Sequence, residues 1–433
     1  MKLVIRNGRV VDAKNKIDKK ADILIENGKI VKIGESSQFR PGDVTRSTMT
    51  INATGKVVTP GLIDMHTHLR EPGREDEETI ASGTRAAAQG GFTTICCMPN
   101  TQPVVDSVSG VKFILTTASQ EGVVNVYPIG SITKGQKGEE LAEIGKMRIA
   151  GIVAISDDGK PVTNAQIMRR ALEYAKMFNL PVISHCEDLN LSMGGVMNEG
   201  FTSTILGLKG IPRQAEEIMV ARDIALVELT GGKLHLAHIT TRRSVELIRQ
   251  AKKKRIRVTC ETAPHYFSLS EEDVQGYNTN TKINPPLRTK DDIKALCEGL
   301  ADGTIDCIAS DHAPHLDVEK DLEYNIAPFG IIGLETMLPL ILTNLVRKKI
   351  LSLNQAIAKL TVNPANILGL EKGSLSIGAD ADLTIIDLNL ERKIGNEFIS
   401  QSKNSPFIGM ELKGFPVATI VGGKVVMKDG KLV

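Results

Sequence analysis

The chain has 433 residues, 41% of them hydrophobic, which suffices for a large buried core and excludes both a disordered chain and a small fold that needs covalent staples. Its 53 basic and 51 acidic residues nearly cancel, to +2, and the densest basic stretch, residues 252–257, reads as a solvated helix end, so the charge marks no nucleic-acid track and no membrane patch. Aromatic residues are only 3%, with no tryptophan, which argues against a stacking platform for single-stranded nucleic acid; no apolar run reaches the roughly 18 to 20 uncharged residues of a membrane span.

In chain order, the first sixty residues read as hairpins. Apolar runs at 2–5 and 9–12 flank Asn7-Gly8, and runs at 21–25 and 29–33 flank Asn27-Gly28. Eight strand-like apolar runs follow, near 62–66, 92–98, 123–130, 151–155, 180–185, 233–238, 256–261 and 305–310. Helical patterns lie between them at 78–89, 164–178, 215–229 and 241–253. Eight alternating units predict an α/β chain closed into a (β/α)8 TIM barrel over residues 60–365. The hairpin grammar returns at 383–387 and at 418–427 around Gly422-Gly423. Two short β-rich ends are marginal apart. Residues 1–59 and 366–433 are therefore expected to form one composite β-sandwich.

Six cysteines, at 96, 97, 186, 260, 297 and 307, show no Cys-x-x-Cys spacing, and the N-terminal residues read as a strand rather than a secretory leader. A reducing, cytoplasmic setting is the expectation, with the thiols as packing.

The chemistry sits at the strand ends. His66 and His68, two apart after the first barrel run, point to one side of a strand. His185 closes the fifth run and His238 the sixth. Asp157-Asp158 follow the fourth and Asp311 the eighth. Imidazole and carboxylate suit zinc and similar metals, and in a barrel these positions share the C-terminal rim where active sites lie. One histidine alone is more often a satisfied core residue than a ligand; five rim strands agreeing is a different matter. His235 is opposite in phase to His238 and reads as structural. His265 reads equally as packing or as a neighbour of the substrate.

The ordered motifs Asp64-Met65-His66-Thr67-His68-Leu69-Arg70-Glu71-Pro72-Gly73, Met98-Pro99-Asn100-Thr101, Ser156-Asp157-Asp158-Gly159, Ser184-His185-Cys186-Glu187, Ala237-His238-Ile239, Glu261-Thr262-Ala263-Pro264-His265, Asn284-Pro285-Pro286-Leu287-Arg288, Ser310-Asp311-His312-Ala313-Pro314-His315 and Ala327-Pro328-Phe329-Gly330 resemble the amidohydrolase superfamily, and within it the type I dihydroorotases. The resemblance covers essentially the whole chain. It implies one zinc held by His66, His68 and Asp311, a second held by His185 and His238, and Asp158 bridging them where many relatives use a carboxylated lysine. From the residues alone, either of Asp157 and Asp158 could reach a metal. It further implies reversible closure of N-carbamoyl-L-aspartate to L-dihydroorotate, in de novo pyrimidine synthesis, with Asp311 moving the proton between nucleophile and ring nitrogen.

By the same resemblance Arg70, Asn100 and His315 bind the substrate carboxylate, while Asn284 and the Phe329-Gly330 segment lie against the ring. Each has a plainer reading: Arg70 could pair with Glu71 or Asp64, Asn100 is a common turn residue, and Gly330 could serve only its backbone conformation. Relatives are often homodimers, and some associate with aspartate transcarbamoylase. Two rival functions stand beside this one. A hydantoinase-like or allantoinase-like hydrolase is disfavoured by Asp-Asp-Gly and by Arg70, which an uncharged substrate would leave unpaired. A catalytically silent scaffold for aspartate transcarbamoylase is disfavoured by the intact set of four histidines and two aspartates.

Overall fold

The computed structural model describes residues 2–39, 43–44 and 48–433. Eight short parallel strands form the barrel: Leu62–Thr67, Phe92–Cys97, Asn125–Pro128, Ile155–Ser156, Pro181–Ser184, Lys233–Leu236, Val258–Thr262 and Cys307–Ile308. The first three pair in order, as do the last five. Parallel bridges Gly130 to Ile155 and Thr67 to His312 close the ring. These strands are buried on both faces, which is why they read as continuous apolar runs rather than alternating ones. The fourth and eighth are only two residues long, because Ile152–Ala154 and Ala309–Ser310 continue their paths with few ladder bonds, such as Gly130 N–H to Ala154 O at 3.1 Å.

The helices begin where short polar side chains can cap them. Thr79, Asn164, Thr241 and Thr289 each accept from a backbone N–H of the first turn of Ile80–Gln89, Ala165–Met177, Arg242–Lys253 and Lys290–Asp302. Among the described residues no helix is long and apolar enough to cross a membrane.

Both termini build one nine-stranded sheet. Val57–Pro60 is the seam: it pairs in parallel with Lys2–Asp12 and antiparallel with Leu383–Lys393. The sheet has its own apolar core, including Leu3, Ile5, Ile23, Val58, Leu383 and Ile420. Hydrogen bonding joins the strands of both termini into one continuous sheet, the composite domain expected.

Two local expectations change. Asn7-Gly8 is no hairpin turn: Lys2–Asp12 is one strand with an irregularity at Ile5/Gly8, and both halves pair with Ile17–Glu26. Asn7 takes φ 63° and donates its N–H to Asp22 Oδ1 at 2.8 Å, and a Cβ on Gly8 would meet Val58 Cγ2 at 2.5 Å, so the dipeptide serves a bulge and a close crossing. Asn27-Gly28 does make the expected turn, with both residues at positive φ. In addition, the C-terminal portion, expected to belong wholly to the sheet, leaves it between Lys393 and Glu411 and runs to the barrel rim. There Ser402 Oγ donates to Glu77 O at 2.7 Å, and Asn404 Nδ2 donates to Ala313 O and Gly330 O at 3.0 and 3.1 Å.

The sheet packs on the barrel where Gly414, at φ 94° in Glu411–Val421, lies so close to Leu342 that a Cβ would come within 2.5 Å of its Cδ1. Gly414→Ala is expected to destabilise the protein by about 2 kcal/mol through strain and overpacking. The check is the urea or thermal midpoint, and an unshifted midpoint would refute this contact as a packing constraint.

Candidate metal centre and substrate cavity

The first barrel strand carries His66 and His68 to the rim, the fifth and sixth end at His185 and His238, and the loops after the fourth and eighth bring Asp158 and Asp311 beneath them. All six are buried. His66 Nε2 is 3.2 Å from Asp158 Oδ2 and 3.4 Å from Asp311 Oδ1; His68 Nε2 is 3.5 and 3.3 Å from the same two oxygens. On the other side, Asp158 Oδ1 is 3.1 Å from His238 Nε2 and 3.4 Å from His185 Nδ1. Asp158 thus turns one oxygen to each pair of imidazoles.

Its neighbour Asp157 points elsewhere. Asp157 Oδ1 accepts from Ser131 Oγ at 2.6 Å and from the N–H groups of Ile132 and Thr133 at 2.8 and 3.1 Å, so that carboxylate ties the third barrel loop to the fourth.

The outward nitrogens decide what the inward ones present. His66 Nδ1 meets Glu261 Oε1 at 2.7 Å, His68 Nδ1 meets Asn100 Oδ1 at 2.8 Å, and His185 Nε2 meets Glu187 Oε2 at 3.0 Å. Each acceptor claims the ring's N–H, so in the neutral rings a lone pair faces inward. Carboxylate oxygens also only accept. The centre is therefore an array of acceptors that needs protons or cations between its members. Without a cation, protons do this work: burial alone would favour neutral rings, but the charges of Asp158 and Asp311 hold His66 well above the ordinary imidazole range, and Asp158 and Glu187 lift His185 to about 10. Burial opposes charge on Asp158 and Asp311 too, and the imidazoles still pull both below the carboxylate range.

Among the described residues the buried Nδ1 of His238 has no partner. Two groups of donor atoms, His66/His68/Asp311 and His66/Asp158/His238, each lie within 4.8 Å of one another. A set of imidazole nitrogens and carboxylate oxygens converging in this way fits divalent metal ions.

Backbone conformation aims several of these groups. Arg70, His238 and Asp311 all adopt positive φ, at 62°, 33° and 50°, conformations that cost non-glycine residues about 1 to 3 kcal/mol and persist where the surrounding structure imposes them. Asp64 contributes from below: its Oδ1 accepts from His66 N–H and Ser310 N–H, at 3.2 and 3.1 Å, joining the first and eighth strands beneath the ligands.

A cavity of about 210 Å³ opens over the cluster, lined by His68, Asp158, His185 and Asp311 on one side and by Arg70, Asn100, Asn284, His315, Phe329 and Gly330 on the other. Arg70 pairs with neither Glu71 nor Asp64. Its Nε lies 3.1 Å from Glu77 Oε2 and from Pro314 O, while Glu71 accepts from Ile80 N–H. Asn284 Nδ2 donates to Glu187 Oε2 at 3.0 Å. The amide groups of Gly330 are already engaged, its N–H by Lys282 O and its carbonyl by Lys320 Nζ and Asn404 Nδ2. A Cβ there, at φ 132°, would meet Ala313 Cβ at 2.8 Å, so glycine shapes the wall.

Glu261, at the rim end of Val258–Thr262, and Glu187, two residues after His185, carry no role in the sequence reading; a carboxylate at a strand's rim end or beside a ligand is the signal that could have singled them out. Glu261 also meets His235 Nε2 at 3.2 Å, so His235 supports the carboxylate that orients His66. Histidine pairing draws Glu261 and Glu187 down to about 2 against the opposing effect of burial. His265 is buried, its Nε2 has no partner among the described residues, and desolvation pushes it down to about 4, so it stays neutral.

Barrel and rim together define a (β/α)8 barrel with a candidate metal centre at its mouth. The Amidohydrolase family matches residues 57–426. Over 99% of both chains the sequence is 57% identical to the dihydroorotase of Pelotomaculum thermopropionicum, and it is equally identical to that of Endomicrobium trichonymphae over 98% of this chain and 99% of that one. Among solved structures, the L-hydantoinase (dihydropyrimidinase) from Arthrobacter aurescens superimposes with a TM-score of 0.89 at 29% identity, covering 100% of this chain and 97% of its own. The dihydropyrimidinase from Brevibacillus agri NCHU1002 gives 0.85 at 25%, covering 100% and 96%. The chain belongs to the amidohydrolase family and, within it, to the dihydroorotases.

Because Glu261 fixes the tautomer and direction of His66, Glu261→Gln is expected to weaken metal binding roughly 10- to 100-fold. Competition with a chromophoric chelator measures this, and unchanged affinity would remove Glu261 from the account.

Proposed function

We infer that the protein catalyses the reversible, zinc-dependent cyclisation of N-carbamoyl-L-aspartate to L-dihydroorotate. The observation that carries the reading is one small cavity with the acceptor cluster on one wall and a half-buried guanidinium on the other, a match to a cyclic amide that bears a carboxylate. His66, His68 and Asp311 would hold one ion, His185 and His238 a second, and Asp158 would bridge them. A divalent cation bound there acidifies water and polarises an amide carbonyl at neutral pH.

The chain's own residues supply the rest. Arg70 receives the substrate carboxylate through Nη1, which makes no hydrogen bond among the described residues, with His315 and the remaining N–H donors of Asn100 beside it. Asn284, its Nδ2 held by Glu187, keeps Oδ1 to accept from the ring, and Phe329 with Gly330 closes the far wall. In hydrolysis Asp311 takes the proton of the nucleophile and returns it to the leaving ring nitrogen; in the biosynthetic direction it removes the amide proton, as microscopic reversibility requires. No protein-derived covalent nucleophile enters.

The reading extends to setting and assembly. All six cysteines are free thiols, five of them buried, which suits a reducing cytoplasm. The segment after the fifth barrel strand exposes Leu189, Leu191, Met193, Phe201 and Ile205, an apolar face of the kind that marks protein contacts, which supports a homodimer. Aspartate transcarbamoylase is the other partner in this reading, and sedimentation of the chain alone and with that enzyme distinguishes the two.

Purified, zinc-loaded protein should turn over dihydroorotate and carbamoyl-aspartate in preference to dihydrouracil, hydantoin and allantoin; preference for an uncharged ring would overturn the assignment. Asp311→Asn should abolish turnover, and a near-normal rate would remove its proton-transfer role. Arg70→Met should raise KM for dihydroorotate by about tenfold or more while leaving metal content intact, and an unchanged KM would count against the carboxylate contact.

A further inference from the structure

Glu77 touches neither the acceptor cluster nor the cavity, yet its buried carboxylate organises one corner of that cavity. It lies in the loop between the first barrel strand and the helix Ile80–Gln89. Its Oε2 is 3.1 Å from Arg70 Nε, and its Oε1 is 2.8 Å from His315 Nδ1 and 3.2 Å from Arg74 Nη2. Its backbone carbonyl is fastened by Ser402 Oγ from the C-terminal segment.

The hydrogen-bond inventory at His315 is decisive. Nδ1 faces the Glu77 carboxylate, and Nε2 faces the carbonyl oxygen of Phe329 at 2.8 Å. The Glu77 carboxylate accepts only, so Nδ1 carries a proton. Nε2 lies between an acceptor, Phe329 O, and a donor, Arg70 Nη2 at 3.3 Å. Around them stand Glu319, 3.8 Å from His315 and 30% exposed, and the buried Lys320. Arg70 and Glu77 balance one another at this corner, and burial draws Lys320 down to about 7.

We propose that Glu77 is the positioning residue of the substrate-carboxylate corner: its carboxylate pairs with the Nε side of Arg70, leaving Nη1 free for the ligand, and accepts the His315 Nδ1 proton, which fixes the direction of that ring. This rests on the assignment of a carboxylate-bearing cyclic amide to the cavity. Burial, with Arg70 and Lys320, holds His315 below the ordinary imidazole range against the pull of the Glu77 carboxylate. A substrate carboxylate adds to the Glu77 side, so substrate and a second His315 proton bind cooperatively.

The test compares wild-type and Glu77→Gln metal-loaded protein on dihydroorotate and on dihydrouracil, which lacks the carboxylate. The expected result is a KM for dihydroorotate raised by about tenfold or more, kcat within about threefold, and dihydrouracil turnover unchanged. An unchanged KM, or a loss confined to kcat, overturns the proposal. Imidazole ¹⁵N spectra of the wild type at equilibrium with dihydroorotate and carbamoyl-aspartate give a readout independent of the variant's folding. With eight histidines to assign, His315 should show a protonated Nδ1, and a ring protonated at Nε2 alone overturns the proposal. A wild-type protein inactive on dihydroorotate would strike the reaction assignment instead, and the spectrum of the unliganded protein would still decide whether Glu77 holds the His315 proton.

Discussion

The structure depends on one electrostatic constraint: lone pairs from imidazole nitrogens and from two carboxylates are made to face a common point inside a dry barrel mouth. Left to themselves these groups would separate or hydrate, and the fold prevents both. Glu261, Asn100 and Glu187 each take the outward N–H of one ring, which fixes where the inward lone pair points. The short strands hold the backbones, and the positive-φ conformations of His238 and Asp311 turn their side chains inward. The consequence is a centre whose members repel one another except through a cation or a proton, and such a centre is predisposed to bind metal tightly.

A second level of organisation comes from the termini. The nine-stranded sheet seals one side of the barrel, but its functional contribution is the excursion between Lys393 and Glu411. Ser400, Ser402 and Asn404 reach the loops carrying Glu78, Glu77, Ala313 and Gly330, and Asn404 Oδ1 accepts from His315 N–H at 3.2 Å. Residues from the first and eighth barrel loops thus share hydrogen bonds with a segment some 90 to 320 positions away in sequence. The corner proposed for the substrate carboxylate is fixed by the whole chain rather than by the barrel alone.

Much of this was legible in the sequence, for identifiable reasons. Strands buried on both faces leave apolar runs that end at polar ligands, so all eight barrel strands and the six inward residues could be located by eye. What one sequence does not encode locally is which of two adjacent groups points where. Asp157 and Asp158 are chemically the same, and only the Ser131–Thr133 loop, brought in from the third unit, claims the first and leaves the second to the histidines. Asn7-Gly8 has the composition of a turn, but both flanking runs pair with a single partner strand, so tertiary pairing overrode the dipeptide's preference. Glu77 sits in an acidic stretch that resembles an ordinary solvated loop; its burial depends on Arg70, His315 and Ser402 arriving together.

The cluster and the corner divide the work of catalysis and selection. Hydantoinases and dihydropyrimidinases share this backbone closely, with TM-scores of 0.89 and 0.85, so the barrel and its general capacity to open cyclic amides do not by themselves choose a substrate. Discrimination must come from groups that one ring satisfies and another leaves stranded. In the proposed corner Arg70 is such a group: an uncharged ring would leave its guanidinium facing the cavity without the carboxylate that answers it. A buried charge left unpaired costs more than a lost apolar contact. On the proposed assignment, selectivity for an acidic ring follows from a guanidinium whose free face only an anion satisfies, and Glu77, by holding Arg70 and His315 together, keeps that face toward the ring.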